Sequence, residues 1–577
     1  MIPREKKEEI KQQLRRRAAK GHEKPKRFYR RKLKTTEDGG QPYKQCIPLN
    51  KLAQFGLGLA MYFYILLILC VTCIFTGFIS IPRIAEFTRN NHDNNITDVR
   101  VFGAAVCPDL RRVELYGGVQ ADFRPRCDFP DDASTWSDFC ICIGFAVAIL
   151  LAVILQHYIE NQLDERVASA QDYSIVIENP PEDADSPDEW KDFFSQYGLV
   201  RYITVNRQNR KLLILLLKKR LLLRHFPPRY YTDAETTELD EKARFAAQTP
   251  IPWKVRFLYD NFGIVNTTKD NELLFLLHQL NVAIDASCNK PHVVSSIFVT
   301  FEFEDEKQRC LQALENENSF MNKCRGRKNY DNRFRGEYVL LAEESSEPDN
   351  IAWLNSSLDD PDRLWRKAVS FFCTAVILVI CYWLVQAAYD VSALALLIVI
   401  TGLDSTLPFV FMLITGTEGN VDEDDRQESF MMKLFVGRIL CAVIFPLLFT
   451  PWESMLDVTQ LASIKNVQLS CCFVTPLVRL VDAPGIFNRQ IMTRFFAKSE
   501  SDALRFWSGT PFTLAERYTD IAKIMFISLF YSFLDPTALF LAALACLNSF
   551  FIDRYLLLRK SAPPPLLDNS MGPTVQA

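Results

Sequence analysis

The feature that most constrains this chain is a set of long apolar stretches without a charged residue. Residues 52–81 contain thirty consecutive positions with no Asp, Glu, Lys or Arg. A helix of about 20 apolar residues crosses the roughly 30 Å hydrocarbon core of a bilayer. Several such stretches, in a chain that is 49% apolar, exclude a disordered protein and an ordinary cytosolic enzyme. The sequence therefore predicts a polytopic α-helical membrane protein.

Eight spans are predicted from the apolar stretches and their flanking charges. The last stretch, residues 524–552, is interrupted at Asp535 and Pro536. Basic residues lie on both flanks, and because they favour the cytosolic side, the chain is expected to turn back there as a hairpin. Both termini are then cytosolic. The other six predicted spans are 52–81, 138–159, 367–390, 391–417, 434–452 and 458–481.

A basic arm, residues 1–51, precedes the first span. Residues 1–34 carry fifteen Lys and Arg against four Glu, a local charge of +11, whereas the whole chain has a net charge of −3. Such an arm can bind nucleic acid, anionic lipid or an importin, but directly before a span it marks the cytosolic side. The protein is expected in the plasma membrane. Residues 561–577 are expected to be a disordered tail.

The loop of residues 82–137 is expected outside the cytosol. Asn95 begins an Asn-Ile-Thr glycosylation sequon. Cys107 and Cys127 lie in the same loop, in a compartment where a disulfide can form. The remaining cysteines lack metal-ligand spacing and are interpreted as packing residues.

Residues 160–365 are predicted to form a cytosolic α+β domain. Ser186 and Glu189 have the spacing of a capping box that opens its first helix. The order strand–helix–strand, twice, is that of a ferredoxin-like or RRM-like sheet. The predicted elements are a strand at 173–178, a helix at 187–197, strands at 200–206 and 296–302, a helix at 305–314 and a strand at 338–342.

This domain is not expected to bind nucleic acid. An RRM stacks bases on aromatic side chains of its first and third strands. Here Val176 takes the first-strand position, and Ser296 stands where a third-strand aromatic belongs, although Phe298 is retained. The stacking platform is therefore incomplete.

An insertion of about ninety residues, 207–294, separates the second and third strands. It contains two leucine-rich stretches, one of them followed by Lys218, Lys219 and Arg220. These stretches are either core helices of the domain or a surface that lies against the inner leaflet.

Several motifs of the chain occur in an order that resembles one family of channels. They are DYSIVIENPP at 172–181, DEWKDFF at 188–194, PDNIAWLN at 348–355, LDSTLP at 403–408, ERY at 516–518, DP at 535–536 and DRYLLLR at 553–559. With an RRM-like domain after the second span, the chain resembles the OSCA-type hyperosmolality-gated, calcium-permeable cation channels over about residues 52–560.

The resemblance implies an anoctamin-like helix bundle that conducts cations through each subunit and opens with membrane tension. It implies membrane lipids and permeant cations as partners, and a homodimer joined through the cytosolic domain. Members have eleven spans and an extracytosolic N-terminus. Here the basic arm replaces the first helix, and about two closing spans are expected to be missing after the channel-like region, 366–560.

Polar side chains inside the predicted spans are the candidates for a conduction path. They are costly in a bilayer and usually face water or a partner. Each is either a pore-lining group or part of an interhelical pair or interfacial anchor, and Asp404 and Lys465 lie deepest. The candidates are Gln386, Asp404, Arg438, Lys465, Gln468 and Arg479.

Proline residues mark candidate helix breaks. Pro408, Pro446 and Pro476 each remove a backbone donor inside a span, and Pro536 lies at the predicted hairpin turn. Broken helices are tolerated in membranes where they line a cavity or meet another helix. A bent helix can also serve as a gate.

No catalytic motif, cofactor or metal site is predicted, because the Walker, HExxH and GxSxG motifs do not occur. The acidic stretch 422–425 lacks the EF-hand spacing.

Three functions remain: a mechanically or osmotically gated cation channel, a lipid scramblase, and a non-conducting membrane adaptor. A water path past Asp404 and Lys465 favours the first and a groove open to lipid the second. Dry, fully paired side chains favour the third.

Overall fold

Long helices form from the apolar stretches, and a small sheet forms in the long segment that follows the second of them. The chain is described here from a computed structural model. The described residues are 48–49, 52, 57–93, 96–106, 111–115, 119–123, 131–164, 170–223, 242–244, 270–318, 332–346, 348, 350–356, 358, 360–450, 456–496, 506–507, 510 and 512–561.

Two compact units divide the chain. The sheet unit comprises Ala168–Leu364 with Gly419–Asp422, and the helical unit comprises the rest. Asn95, Cys107 and Cys127 lie outside the described residues, as do most of the basic arm and the C-terminal tail, so the predictions for them stay predictions.

Thirteen helices of the described residues follow one another along the chain. They are α1 (Leu57–Ile79), α2 (Ile81–Asp93), α3 (Asp131–Asp164), α4 (Pro187–Phe194), α5 (Arg210–Leu223), α6 (Asp270–Cys288), α7 (Glu304–Asn318), α8 (Asp360–Val391), α9 (Ala393–Thr415), α10 (Glu423–Phe449), α11 (Val458–Met492), α12 (Leu514–Tyr531) and α13 (Ala538–Arg559).

Seven helices in the described part of the chain are long and apolar enough to cross a bilayer: α1, α3, α8, α9, α10, α11 and α13. The protein is therefore a polytopic membrane protein, as predicted. The sequence predicted eight spans. Helix α12 falls outside the seven because it carries Glu516, Arg517, Asp520 and Lys523 within eighteen residues.

The predicted hairpin is confirmed at the end of the chain. Helix α12 ends at Tyr531 and α13 begins at Ala538, with Asp535 and Pro536 in the turn between them. The turn is held by Ala105, whose backbone N–H donates to the Leu534 carbonyl at 2.7 Å. The break therefore separates two antiparallel helices of the helical unit.

Small residues let these helices approach closely. A Cβ on Gly77 of α1 would lie 2.9 Å from the ring of Phe540 in α13. On Gly437 of α10 it would lie 2.8 Å from the ring of Phe411 in α9. Because lipid and leucine are equally apolar, close packing of this kind is what associates helices in a membrane.

Two of the proline positions coincide with widened helical turns rather than breaks. Pro446 follows a π-helical turn at Leu440–Ile444 in α10, and Pro476 follows another at Ser470–Val474 in α11. A π turn changes the hydrogen-bond pattern before the proline, so the helix continues past it. The break expected at Pro408 is wrong, since α9 continues to Thr415, as a helix can when its neighbours cover the freed carbonyl.

The sheet unit contains four antiparallel strands: β3 (Ser174–Ile177), β4 (Val200–Arg207), β5 (Val294–Phe301) and β6 (Ala342–Glu344). Their spatial order is β4-β5-β3-β6. Ile297, Val299 and Phe301 of β5 are buried in one core with Trp190 and Phe194 of α4. The first three predicted strands and both helices are confirmed. Earlier in the chain, within the helical unit, β1 (Arg111–Leu115) pairs antiparallel with β2 (Val119–Phe123).

Two details of this unit were predicted wrongly. The last strand begins at Ala342, because Tyr338 instead forms an isolated bridge with Phe334. The capping box does not form: the Ser186 side chain makes no cap hydrogen bond, and the Glu189 carboxylate accepts from Arg335 at 2.6 Å. The Arg335 guanidinium also holds Asp183, and it lowers the pKa of both carboxyl groups.

The leucine-rich stretches of the insertion pack on each other. Leu222 of α5 is buried with Leu273, Leu276, Leu277 and Leu280 of α6. This supports core packing for these leucines. On the outer side of the sheet, the Phe298 ring lies 5.3 Å from the Trp353 ring.

Replacement of Trp190 by Ala is expected to destabilise the sheet unit by about 3–5 kcal/mol, because Trp190 is fully buried and stacks on Phe334 at 4.0 Å. The measurement is hydrogen exchange of the α4 and β5 peptides in the full chain. Tyr202→Ala, at a side chain that is 73% exposed, is the control and should leave protection unchanged. Equal protection in both variants would contradict the assigned core.

Candidate functional site

Seven ionisable side chains meet inside the helical unit. They come from five helices that are distant in the sequence, and all are largely removed from solvent. We call them the ion-pair network. Its members are Asp404 of α9, Arg438 of α10, Arg479 of α11, Arg517, Asp520 and Lys523 of α12, and Asp553 of α13.

Asp520 lies at the centre of the network, with a side chain that is 2% exposed. One carboxylate oxygen is 2.8 Å from Nη1 of Arg438, and the other is 2.9 Å from Nη2 of Arg479. Both oxygens are at ion-pair distance but outside hydrogen-bond geometry, so the attraction is chiefly Coulombic. Asp520 therefore joins α10 and α11 to α12.

Asp404 forms one arm of the network. Its Oδ1 lies 3.0 Å from Nε of Arg438, and its Oδ2 accepts a hydrogen bond of 2.6 Å from Nζ of Lys523. The Thr475 hydroxyl donates to the same Oδ2 at 3.4 Å. This arm ties α9 to α10, α11 and α12.

Asp553 forms the other arm and is fully buried. Nη1 of Arg479 lies 3.2 Å from both of its oxygens, and Nη1 of Arg517 lies 3.3 Å from Oδ1. The Tyr62 hydroxyl of α1 donates to Oδ2 at 2.5 Å. The first span is thus connected to the hairpin at the end of the chain.

The charges of the network nearly balance, with three carboxylates against four cations. Neutral acceptors supplement the carboxylates: Nη1 of Arg438 donates to the Thr519 hydroxyl at 2.6 Å and to the Glu516 carbonyl at 3.1 Å. Removing one partner from such a set leaves an uncompensated buried charge, which is strongly unfavourable. The ion-pair network therefore stabilises the packing of these five helices.

Lys465 belongs to a separate pair. Its Nζ donates to Oδ2 of Asp535 at 2.6 Å and also contacts the Thr537 hydroxyl. The pair anchors α11 to the turn between α12 and α13. It does not meet the network through the contacts described above, although sequence analysis grouped Lys465 with Asp404.

The two glutamine candidates also lie apart. Gln468 is 5% exposed, and neither polar atom of its amide has a hydrogen-bond partner among the described residues; the same holds for the buried amide oxygen of Gln386. Of the six candidates, the structure brings together Asp404, Arg438 and Arg479.

Sequence analysis missed four ionisable members of the network. Arg517 was counted with the basic flank of the last apolar stretch, and Asp520 and Lys523 were not singled out, because that stretch was begun at residue 524. Their spacing of three residues places them on one helical face, and this was the available signal. Asp553 was quoted only as part of a motif.

Two small cavities lie beside the network. The first, of about 20 Å³, is lined by Asp404, Arg438 and Lys523 and by the hydroxyls of Thr401 and Ser470. This volume accommodates one water molecule. Its lining combines fixed charges with neutral oxygen ligands.

The second cavity, of about 40 Å³, has a different lining. Tyr389, Thr450 and Gln460 supply polar groups, and the Gln460 amide donates to the Tyr389 hydroxyl at 3.0 Å. The two cavities share three residues of their walls. These are Ile400 of α9, Ala442 of α10 and Val467 of α11, which we call the apolar constriction.

The described residues contain no group of three or more His, Cys, Asp and Glu side chains that could hold a metal ion. In the acidic stretch after α9, the Glu423 carboxylate is bound by Arg426. No protein-family model matches the sequence, and no curated protein matches it.

Asp520→Asn is expected to destabilise the helical unit by about 3 kcal/mol or more, because Arg438 and Arg479 both lose their central counter-charge. Thermal unfolding of the purified full chain in detergent measures the effect. Asp390→Asn is the matched control, since Asp390 is an exposed carboxylate on α8. A melting temperature that falls equally in both variants would be inconsistent with a central role for Asp520.

Proposed function

We propose that the chain is a tension-gated cation channel whose closed path runs between α9, α10, α11 and α12. The observation that carries the proposal is the pair of cavities that share the apolar constriction. Helix α12 then acts as an eighth span, since Arg517, Asp520 and Lys523 are neutralised within the unit rather than exposed to lipid.

The constriction supplies the barrier of the closed state. Ile400 is buried, and with Ala442 and Val467 it presents only hydrocarbon between two cavities that each contain polar groups. Apolar constrictions gate ion pathways because water and ions leave them when they are narrow. Widening of this wall would join the cavities into one hydrated path.

Asp404 supplies an oxygen site on the polar side of the barrier. Nζ of Lys523 lies 2.6 Å from Oδ2 of Asp404, in the position that a permeant cation would take. The hydroxyls of Thr401 and Thr475 provide further oxygen ligands in the same cavity. In the proposed cycle, opening separates Lys523 from Asp404 and leaves the carboxylate to the cation.

The π turns supply the movable parts. Cys441 and Ala442 belong to the π turn of α10, and Ser470 and Cys471 to that of α11, and all four line a cavity. Conversion of a π turn to an α turn rotates the residues beyond it. Membrane tension favours the arrangement with the larger area in the membrane plane, so it would bias this conversion.

The finer assignments follow the family resemblance. Calcium permeability, the plasma membrane and a homodimer joined through the sheet unit are carried over from the OSCA-type channels. The strand order β4-β5-β3-β6 with α4 and α7 supports an RRM-like domain. The cation preference is also taken from the resemblance, because the network itself carries one excess positive charge.

A non-conducting adaptor is the second candidate. Asp404 and Lys465 are both paired, as this function would require. Tension-gated current from the purified chain in vesicles distinguishes the two, and lipid scrambling without current in the same vesicles would indicate a scramblase.

Lys523→Gln is expected to open the channel at lower tension, because Asp404 loses the ammonium that occupies it. The measurement is patch-clamp recording from proteoliposomes under stepped suction with a cation gradient. Lys465→Gln is the matched control, as it removes a paired buried lysine that lines neither cavity. A folded Lys523→Gln variant with an unchanged tension threshold would count against the proposed path.

Ile400→Ser is expected to produce current without applied tension, because a hydroxyl hydrates the constriction. Ile398→Ser tests the same change on α9 at a side chain that is 63% exposed and lines neither cavity. Recording uses the same proteoliposomes. Spontaneous current in both variants, or in neither, would contradict the assigned barrier.

A further inference from the structure

A short loop joins two helices of the proposed conduction path, yet it belongs to the sheet unit. Helices α9 and α10 are parts of the helical unit, whereas the residues between them, Gly419–Asp422, group with the sheet unit. We call these residues the α9–α10 loop. Gly419 has a φ of 76°, a left-handed conformation that glycine adopts without steric cost. The chain therefore leaves the helical unit at Gly419 and re-enters it at Glu423.

The α9–α10 loop is bound to the segment that precedes α8. The backbone N–H of Ala352 donates to the Val421 carbonyl at 2.7 Å. The side-chain amide of Asn355 donates to the Asn420 carbonyl at 3.0 Å. Two consecutive carbonyl groups of the loop are thus held by one stretch of chain, residues 351–356.

That stretch is in turn bound to the sheet. The ring of Trp353 lies 5.3 Å from the ring of Phe298 in β5. The hydroxyl of Ser295, on the same strand, donates to the Ser356 carbonyl at 3.1 Å. Strand β5 lies inside the sheet, between β4 and β3. The α9–α10 loop is therefore connected to a central strand of the sheet unit through residues 351–356.

The residue just before the loop is fixed to the helical unit. The Glu418 side chain is 3% exposed. Its carboxylate accepts hydrogen bonds from the hydroxyls of Ser370 in α8 and Ser429 in α10, and it pairs with the ammonium of Lys433 in α10. A buried carboxylate cannot leave such partners without a large cost. A displacement of the loop at Gly419 is therefore passed directly to the end of α9.

We propose that the α9–α10 loop couples the sheet unit to the conduction path and restrains its opening, an inference that rests on the proposed function. Helix α9 carries Ile400 and α10 carries Ala442, two residues of the apolar constriction. Any separation of these helices must be accommodated by the loop that joins them. While hydrogen bonds hold the loop to residues 351–356, opening must either move that stretch or break those bonds. A force that displaces the sheet unit would then change the tension at which the channel opens.

The first test measures hydrogen exchange of the full chain in vesicles and does not depend on conduction. Asn355→Ala removes the side-chain donor to the loop. Exchange at the end of α9 and the start of α10 should become about fivefold faster, the factor for one lost hydrogen bond.

Asn179→Ala is the matched control for this measurement. The Asn179 amide also donates to a carbonyl of the sheet unit, that of Val339, at 3.0 Å, but it does not contact the α9–α10 loop. Exchange at the two helix ends should stay unchanged in this variant. Equal exchange there in both variants would overturn the coupling, whether or not the chain conducts.

A reversible cross-link tests the restraint in the opposite direction. Ile351 and Asp422 form an isolated antiparallel bridge, flanked by the hydrogen bond from Ala352 to Val421. In such a non-hydrogen-bonded pair the Cα atoms lie about 4.5 Å apart, within the range of a disulfide. The double variant Ile351→Cys, Asp422→Cys should therefore cross-link on mild oxidation, as detected by mass spectrometry without reduction. Failure to cross-link would contradict the assigned contact.

Patch-clamp recording from proteoliposomes under stepped suction then measures the restraint itself. Asn355→Ala should open at lower tension than Asn179→Ala. The double variant should open at lower tension after reduction than when cross-linked. Ile351→Cys alone, taken through the same oxidation and reduction, is the control for effects on other cysteines and should show no such difference.

Two kinds of failure can be told apart in these recordings. A cross-linked channel whose tension threshold does not change on reduction would contradict the restraint while leaving the proposed function intact. No tension-gated current from the folded wild-type chain would contradict the proposed function instead. In that case the exchange experiment still decides whether the α9–α10 loop couples the sheet unit to α9 and α10.

Discussion

An ionised carboxylate cannot remain in the interior of a membrane protein without cations beside it, and Asp520 meets this requirement with two guanidinium groups. Arg438 and Arg479 reach it from different helices, and each continues to a second carboxylate, Asp404 or Asp553. The cost of burying any one charge is therefore offset only when five helices are assembled together. Since an unpaired buried ion is far more costly than a paired one, this requirement selects one arrangement of the bundle.

The arrangement of the rest of the helical unit follows from the ion-pair network. The network holds α9, α10, α11 and α12 around the two cavities, while glycine contacts such as Gly437 against Phe411 set how closely the helices approach. The π turns lie where the cavity walls are. In the proposed gating, the charges of the network exchange partners and the neighbouring π turns change their pitch, which gives the bundle two discrete arrangements.

Much of the fold was predictable because it depends on local pattern. Uncharged stretches identified the spans, and strand alternation identified three strands of the sheet unit and their order with the helices. The candidate site was predictable only in part. Asp404, Arg438 and Arg479 stood out as charges within apolar stretches, whereas Asp520 and Lys523 were not singled out because the last apolar stretch was begun after them, at residue 524. Their partners lie 41 to 119 residues away in the chain, and no local pattern encodes such pairing. For the same reason Glu189 could not be assigned: its partner, Arg335, is 146 residues distant.

The most direct test of the account is a double-mutant cycle between Asp404 and Lys523, measured as the unfolding free energy of the purified full chain. Each single change, Asp404→Asn or Lys523→Gln, removes the nearest partner of one buried charge, whereas the double variant removes both charges. The account predicts that the double variant is more stable than the sum of the two single effects, by about 1 kcal/mol or more. Strictly additive effects would show that the two side chains do not interact in the folded protein. They would contradict the ion-pair network on which the proposed channel rests.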